Sequence, residues 1–334
     1  MNSKEEFNKI LVAGRSGQAY KNYLEVREAV FNMLDNGPAL PSSYWREELS
    51  GFEYMFDASP AIISKLRHHC YHITGIKDSA YRGHHTRYLP QVEKKLASLR
   101  KRDTKNLLIP ESPMLGGFGF DIGSKMYNAD TLKYYESLLI LDQTGLLDKL
   151  RLDGKIMMEV GSGWGGFAYQ LKVLFPKTTF VFVDIPPVFL FSGTYLKTLF
   201  PLAKTLFFDG RAPVNIDSSY DFIFVPNYAF SRIQGKRPDI LVNMASFQEM
   251  TTSQVDEYFR GARAMGIPLI YSFNRERSPY NHELSAVSSV MEKYYQVQNI
   301  PSIEGLVSWR ERLRALVKGF RSPLTPYVHL IGSI

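Results

Sequence analysis

The sequence contains a single cysteine, Cys70, among its 334 residues. A disulfide bond within the chain is therefore excluded, and nothing in the cysteine content points to an oxidising compartment. The opening residues, Met1–Glu6, also lack the apolar core of a secretory signal. The sequence thus predicts a cytoplasmic protein.

Long uninterrupted apolar runs are missing as well. The most apolar stretch, Phe180–Phe200, is broken by Asp184 and by two prolines that follow it. A membrane-spanning helix needs about 20 largely apolar residues in a row. We therefore expect no membrane insertion and interpret this stretch as a strand, a turn and a helix.

Charge of one sign is not concentrated in any segment. The net charge is +7, but 40 basic residues are scattered among 33 acidic ones. The densest basic cluster, 94–102, lacks the interleaved aromatic residues of a single-strand binding platform. We expect no nucleic-acid partner, whereas attraction of an anionic small molecule such as a nucleotide-sugar stays open.

Histidines do not form a recognisable metal-binding pattern. His68 and His72 would share a helix face, but no acid or cysteine is spaced to complete a ligand set with them. The pair at His84 and His85 is adjacent, so its side chains would point in different directions. We expect no metal site.

The chain divides into two regions. Residues 1–127 show helical periodicity in Tyr20–Leu34, Ile62–Ile73 and Leu89–Arg100, without alternating strands. Residues 128–334 alternate short apolar runs with helical sequence, which predicts a doubly wound α/β domain with a mostly parallel sheet. Seven strands are expected, namely Lys155–Val160, Thr179–Asp184, Ala203–Phe208, Tyr220–Val225, Pro268–Phe273, Tyr294–Asn299 and Tyr327–Ile331.

The most informative segment is the sequence Lys-Ile-Met-Met-Glu-Val-Gly-Ser-Gly-Trp-Gly-Gly at 155–166. It predicts a buried strand, a glycine-rich turn and the start of a helix. Gly161 and Gly163 allow a sharp turn and the close approach of a ligand. Glu159 stands at the end of the apolar strand, where a carboxylate is costly unless it binds a cationic or donor group.

This segment resembles motif I of class I methyltransferases that use S-adenosylmethionine (SAM). The resemblance implies a Rossmann-like fold in which Glu159 and the turn residues Gly161, Ser162, Gly163 and Trp164 hold SAM. The same glycines also satisfy the dinucleotide pattern G-x-G-x-x-G, whose helix start binds a pyrophosphate. Glu159 would repel a pyrophosphate, so SAM is the favoured ligand and an NAD(P)-dependent oxidoreductase is an alternative.

The resemblance also assigns roles at the ends of three later strands. It implies that Asp184, with Ile185 beside it, binds the ribose hydroxyls, since a carboxylate can accept two hydroxyl hydrogen bonds. Asp209 after the third strand would bind the adenine amine, although Asp-Gly is also an ordinary turn signal. Asn227 after the fourth strand would line the methionine end.

A finer resemblance comes from Asn-Met-Ala-Ser-Phe-Gln-Glu-Met at 243–250, together with Asp184-Ile-Pro-Pro and the acidic glycine turn. These motifs resemble a family of sugar O-methyltransferases from bacterial polysaccharide and glycoside pathways, over about 127–273. The resemblance implies an acceptor that is a sugar, a nucleotide-sugar or a glycoside. Asn243 and Ser246 are its expected substrate contacts.

Methyl transfer to a hydroxyl needs a base near the acceptor oxygen. His282, in a loop after the fifth predicted strand, is the first candidate, and Glu249 is the second. Arg275 and Arg277 share this loop and suit a nucleotide-sugar phosphate.

The sequence therefore predicts a SAM-dependent O-methyltransferase acting on a sugar or glycoside hydroxyl. Three alternatives remain: a nucleic-acid methyltransferase with the same catalytic domain, a non-catalytic scaffold with the SAM-binding fold, against which Glu159 and Asp184 argue, and the NAD(P)-dependent oxidoreductase. The helical region 1–127 is expected to cover the acceptor site or to form a homodimer, and the sequence does not separate these two roles.

Overall fold

A computed structural model describes residues 14–15, 17–38, 41–82, 88–151, 153–276, 281, 283–284, 286–303 and 327–334. Within these ranges no helix combines the length and apolar character that crossing a membrane requires. The α-helices are Gln18–Asn36, Ser43–Gly51, Pro60–Ile63, Leu66–His69, Tyr71–Thr74, Leu89–Arg100, Ala129–Gln143, Leu146–Lys149, Gly166–Leu174, Phe189–Leu199, Thr252–Ala264 and Val287–Met291.

The strands form one large sheet and two small ones. In chain order they are β1 (Phe120–Asp121), β2 (Met126–Tyr127), β3 (Ile156–Val160), β4 (Thr179–Asp184), β5 (Thr205–Phe207), β6 (Val214–Ile216), β7 (Phe222–Pro226), β8 (Ile233–Gly235), β9 (Ile240–Met244), β10 (Leu269–Arg275), β11 (Gln296–Pro301) and β12 (Tyr327–Ser333). The large sheet has eight strands in the order β11-β12-β10-β9-β3-β4-β7-β5.

The predicted doubly wound α/β fold is confirmed, with one strand more than the seven expected. Pairing is parallel from β10 through to β5, and β12 is antiparallel to both of its neighbours. The additional strand is β9, which pairs with β3 on one side and β10 on the other. Its apolar run stops at Asn243, so the sequence offered only three consecutive apolar residues as a strand signal.

The central strands are buried on both faces, because alternate residues enter two separate cores. Met157, Phe180 and Phe182 belong to the core that also contains the Gln18–Asn36, Ala129–Gln143 and Phe189–Leu199 helices. Met158 and Val181 face the opposite core, which the Thr252–Ala264 helix covers. Near-continuous apolar strands are what a parallel sheet between two helical layers requires.

The N-terminal helices pack directly on this sheet domain. The Gln18–Asn36 helix lies along the Phe189–Leu199 helix, where Asn22 Nδ2 donates to Thr198 Oγ1 at 3.1 Å. Tyr23, Val26 and Met33 from the same helix are fully buried in the core shared with the sheet. The predicted Ile62–Ile73 helix is instead three short helices, and the Leu89–Arg100 helix has the predicted bounds.

The order of strands fixes where a ligand can bind. The chain runs from β3 to β4 on one side and later returns to β9 on the other side of β3. In doubly wound sheets this reversal opens a crevice at the carboxyl ends of the strands. The segments that follow β3, β4 and β9 therefore meet at the same place.

Candidate active site

The segment after β3 is a turn built on three glycines in the left-handed region. Gly161, Gly163 and Gly165 have φ values of 80°, 52° and 83°. A Cβ atom at Gly161 would lie only 2.1 Å from Ser246 Oγ, in the loop after β9. Glycine at this position thus allows the turn to adopt its conformation and to pack against that loop. The Gly166–Leu174 helix starts immediately after it.

A cleft of about 1030 Å³, counting the part open to solvent, lies above the turn. It has the size and mixed polar and aromatic lining of a small-molecule site. The structure brings most of the predicted site residues into its wall, namely Glu159, Gly161, Ser162, Gly163, Trp164, Asp184, Ile185, Asn227, Ser246 and Glu249.

Glu159 is the most unusual residue of this wall. Its side chain lies in β3 and is only 3% exposed, and its Oε2 atom has no hydrogen-bond partner among the described residues. Burial, together with the neighbouring Asp184 carboxylate, raises the pKa of Glu159 well above its ordinary value. A buried carboxyl group without a partner is costly. A cationic group in the cleft would supply the missing partner.

Asp184 stands at the end of β4 and binds the turn. Its Oδ2 accepts from the Ser162 hydroxyl at 3.0 Å and the Gly163 N–H at 3.3 Å, and its Oδ1 accepts from the Ile185 N–H at 2.8 Å. Burial raises the pKa of Asp184 to about 6, against the opposing effect of these hydrogen bonds. A ligand hydroxyl at Asp184 would compete with the Ser162 hydroxyl, which has Ser192 Oγ as a second partner at 3.1 Å.

Glu249 also lines the cleft, at the end of a short 3₁₀ helix after β9. Burial and the nearby Glu48 carboxylate raise the pKa of Glu249 to about 8, although hydrogen bonds from Gln248 and Trp45 lower it. Ser42 donates from its hydroxyl to the Glu249 carbonyl at 2.7 Å. A carboxyl group with this pKa is suited to exchange a proton near neutral pH.

The N-terminal region contributes one side of the cleft. Trp45 and Ser42 lie beside Glu249, and Ile73 and Thr74 line the wall near the glycine turn. A Cβ atom at Gly163 would touch the Ile73 side chain at 3.4 Å. The sheet domain alone therefore does not enclose the cleft.

Sequence reasoning missed several residues of the cleft. Trp45 carried no signal because it lies in a helix far from the glycine motif in the chain. Tyr327 was predicted only as part of an edge strand. The antiparallel strand β12 next to β10 places it at the carboxyl edge of the sheet. The cleft residues that were missed include Ser42, Trp45, Lys133, Tyr134, Tyr258 and Tyr327.

Asn243 is not in the cleft wall, contrary to its predicted role in binding substrate. Its side chain is fully buried and donates to the Val160 carbonyl at 2.7 Å and Ser246 Oγ at 3.2 Å. Its Oδ1 accepts from the Phe247 N–H at 3.0 Å and Asn274 Nδ2 at 2.8 Å. All of its hydrogen-bonding capacity is thus used to hold the loop that carries Ser246 and Glu249.

Asp209 and Arg275 also lie outside the cleft wall. Asp209 follows β5, the outermost strand, because β7 takes the position next to β4. Its carboxylate accepts from the Arg211 N–H at 3.0 Å and Nε at 2.7 Å, so it closes a local turn. The Arg275 guanidinium stacks on Tyr327, 4.8 Å from the ring centroid. Tyr327 is part of the cleft wall, so the Arg275 side chain lies behind that ring.

His282 and Arg277, the first base candidate and the second phosphate candidate, lie outside the described residues. His84 and His85 do as well. In the part of the chain that is described, no three histidine, cysteine or acidic side chains cluster closely enough to hold a metal ion. His68 Nδ1 lies 3.4 Å from an Asp78 carboxylate oxygen.

No protein-family model and no curated protein matches the chain. Among solved structures, it is similar to phosphoethanolamine N-methyltransferase 2 of Haemonchus contortus, with 13% identity, a TM-score of 0.37 and 61% of this chain covered. It is also similar to the bifunctional kinase-methyltransferase WbdD (12%, TM-score 0.39, 59% covered) and to the N-methyltransferase NodS of Bradyrhizobium japonicum (10%, TM-score 0.35, 57% covered).

The matched regions span 57% of the Haemonchus protein, 38% of WbdD and 94% of NodS. The chain thus corresponds to less than two thirds of the length of the first two. At identities of 10–13% and TM-scores of 0.35–0.39, these similarities leave the activity to be inferred from the site itself.

Proposed function

We propose that the protein is a SAM-dependent O-methyltransferase whose acceptor is the hydroxyl of a sugar or glycoside. The observation that carries the proposal is the buried carboxyl group of Glu159, which faces the cleft beneath a glycine turn and has no partner for one oxygen in the described structure. SAM bears an ammonium group that would complete this carboxylate. Its sulfonium supplies an electrophilic methyl group.

The residues at the turn fit this cofactor better than a dinucleotide. The Glu159 carboxyl group lies at the turn, where it can pair with an ammonium group but has nothing to bind on a pyrophosphate. SAM has no phosphate. Asp184 and Ile185, beside the turn, would bind the ribose, and Asn227 would line the methionine end. Asp209 closes a local turn outside the wall, so the proposal assigns it no contact with the adenine.

Glu249 is the proposed base. Bound SAM would supply an electrophilic methyl group and keep the electron pair of the broken carbon–sulfur bond, and the Glu249 carboxylate would take the proton of the acceptor hydroxyl as its oxygen bonds to the methyl carbon. Its carboxylate is oriented by Trp45 and Gln248, which limits the positions it can occupy when the acceptor binds. Ser246 lies between Glu249 and the turn and would contact the acceptor.

The N-terminal region, 1–127, is proposed to cover the acceptor end of the cleft. Trp45 and Ser42 support this role because they approach Glu249 from outside the sheet domain. Aromatic and amide side chains around a carboxyl group suit a polyol, which offers hydroxyl groups and apolar ring faces. The sugar acceptor itself rests on the resemblance of the motifs at 159–166, 184–187 and 243–250.

Methyl transfer from isotope-labelled SAM into a fractionated cell extract tests the function. We expect label in the fractions that contain sugars and glycosides. Label in nucleic acid would instead favour the nucleic-acid methyltransferase, whose binding should weaken steeply with salt. Binding of a nicotinamide dinucleotide in place of SAM would contradict the proposal altogether.

A further inference from the structure

The indole of Trp164 lies inside the glycine turn itself. It is 2% exposed and folds back over the turn, where a Cβ atom at Gly166 would lie 2.2 Å from its Cζ2. Its edge contacts the Tyr195 ring, with centroids 4.9 Å apart. The indole also lines the cleft, and its Nε1–H is unpaired within the described structure. The orientation of this ring therefore affects the shape of the ligand turn directly.

Arg67 of the N-terminal region covers one face of that indole. The guanidinium carbon lies 3.4 Å from the Trp164 ring centroid, and the Arg67 side chain is fully buried. A planar guanidinium stacks on an aromatic face, and tryptophan is the best partner for it. Desolvation at this depth strengthens the attraction.

A network of polar groups fixes the plane of Arg67. Its Nε donates to Glu111 Oε1 at 2.6 Å, and Asn128 Nδ2 donates to the other oxygen of Glu111 at 3.0 Å. Asp130 Oδ2 lies 3.7 Å from a terminal nitrogen of Arg67. Burial alone would lower the pKa of Arg67, but these carboxylates, Glu111 foremost, contribute to raising the pKa well above its ordinary value.

The network does not satisfy all the hydrogen-bond donors of Arg67. Neither terminal nitrogen of Arg67 has a hydrogen-bond partner among the residues described. A buried ion pair with unmet donors contributes little to stability compared with apolar packing. A contribution to stability thus does not explain why the charged Arg67 guanidinium is buried against the Trp164 ring.

We propose that Arg67 is a positioning residue of the ligand turn. It holds the Trp164 indole in place, and the indole holds the backbone of Gly161–Gly165 in the conformation that admits the ligand. The N-terminal region would then contribute to affinity for the ligand, in addition to covering the acceptor end. The identity of that ligand as SAM rests on the proposed function, whereas the ordering of the turn does not.

A double-mutant cycle on affinity for S-adenosylhomocysteine (SAH), measured by calorimetry, tests the coupling. Arg67→Lys keeps the charge beside Glu111 and removes the planar face. We expect it to weaken binding of SAH roughly tenfold in the otherwise unchanged protein. In a Trp164→Leu background the same change should cost less than about twofold. An equal loss of SAH affinity in both backgrounds would overturn the proposal.

The matched control is Arg27→Lys, since Arg27 lies 6.0 Å from the Tyr23 ring, outside the cleft wall. It should leave the affinity for SAH unchanged. Hydrogen exchange of the ligand-free protein gives a second readout that needs no ligand. Arg67→Lys should speed exchange at 161–166 and leave β10 and β12 unchanged.

Unchanged exchange at 161–166, or acceleration that extends equally to β10 and β12, would show that Arg67 only stabilises the fold. An unmodified protein that binds no SAH, with acceleration confined to the turn in Arg67→Lys, would contradict the proposed cofactor and still support the positioning role. The two failures are therefore distinguishable.

Discussion

Two carboxyl groups in the cleft are expected to destabilise the ligand-free protein and yet to serve its function. Glu159 lacks a partner for Oε2 within the described residues, and Glu249 is oriented by neighbours but has a raised pKa. Sites that bind a ligand often retain groups that destabilise the ligand-free protein. Each carboxyl group therefore gives a prediction that a purely structural residue would not.

Glu159→Gln should stabilise the ligand-free protein at neutral pH by about 1 kcal/mol or more, because it removes a buried group that resists ionisation. The pKa of Glu159 is raised by folding, so this gain should fade as the pH drops below about 4, where the group becomes protonated in both states. Scanning calorimetry at several pH values measures it.

The same variant should bind SAH roughly tenfold or more weakly, since a charge-assisted contact is lost. Higher thermal stability together with weaker binding identifies a functional carboxylate. A variant that is less stable and binds SAH normally would place Glu159 in the fold alone.

Glu249→Gln should lower kcat by about 100-fold or more while the KM for SAM changes little, because the amide cannot accept the acceptor proton. The pKa of Glu249 is about 8, so a carboxylate base is mostly protonated below that pH. The kcat/KM of the unmodified protein should therefore rise as the pH increases through about 8.

The pH profile of the Glu249→Gln variant should lose this rise. A profile that keeps the rise in the variant would transfer the role of base to another group, with His282 the first to test.

At the level of elements, the glycine turn depends on its contact with the loop after β9. Gly161→Ala forces a side chain into the left-handed region, which costs about 1–2 kcal/mol. It also places a Cβ atom 2.1 Å from Ser246 Oγ. We expect the free energy of unfolding to fall by more than the cost of the left-handed backbone conformation, and we expect SAH binding to be lost.

Gly123→Ala is the matched control. Gly123 also has a positive φ, of 63°, but a Cβ atom added there would lie more than 4 Å from the described residues beyond its chain neighbours. Denaturant unfolding should show only the backbone cost there, with SAH binding intact. Equal stability losses in the two variants would mean that the loop moves aside without resistance.

The strand pattern explains which elements the sequence predicts well. The runs at β3 and β4 are mostly apolar and end at a glycine turn or an acidic residue, so their bounds were predicted to within one residue. β9 was missed because Asn243 interrupts it, and the position of Asp209 was misjudged because strand order is a tertiary property. Asp184, Glu159 and Glu249 line the cleft, and the local motifs around them were enough to propose them as site residues.

At the level of the whole molecule, the helical region and the sheet share one core. Met33 is fully buried in the core that also contains Phe182 and Phe224 of the sheet. Trp45 and Ile73 bring the same region to the cleft, and Arg67 packs on the Trp164 ring of the cleft wall. Sequence periodicity does not predict such contacts, because they join residues that lie far apart along the chain.

Met33→Ala should therefore destabilise the whole protein by about 2–5 kcal/mol, the usual cost of truncating a buried side chain. Circular dichroism and tryptophan fluorescence should report one coincident unfolding transition. Two separate transitions, with the sheet domain unfolding at the same temperature as before the substitution, would contradict a shared core.

Calorimetric titration with SAH, and separately with NADH, decides which cofactor the cleft holds. We expect SAH to bind and NADH not to bind. Binding of SAH should release a proton as Glu159 ionises, seen as a heat that changes with the ionisation enthalpy of the buffer, and the Glu159→Gln variant should lose this proton release. Preferential binding of NADH, or no binding of SAH, would rule out a SAM-dependent enzyme.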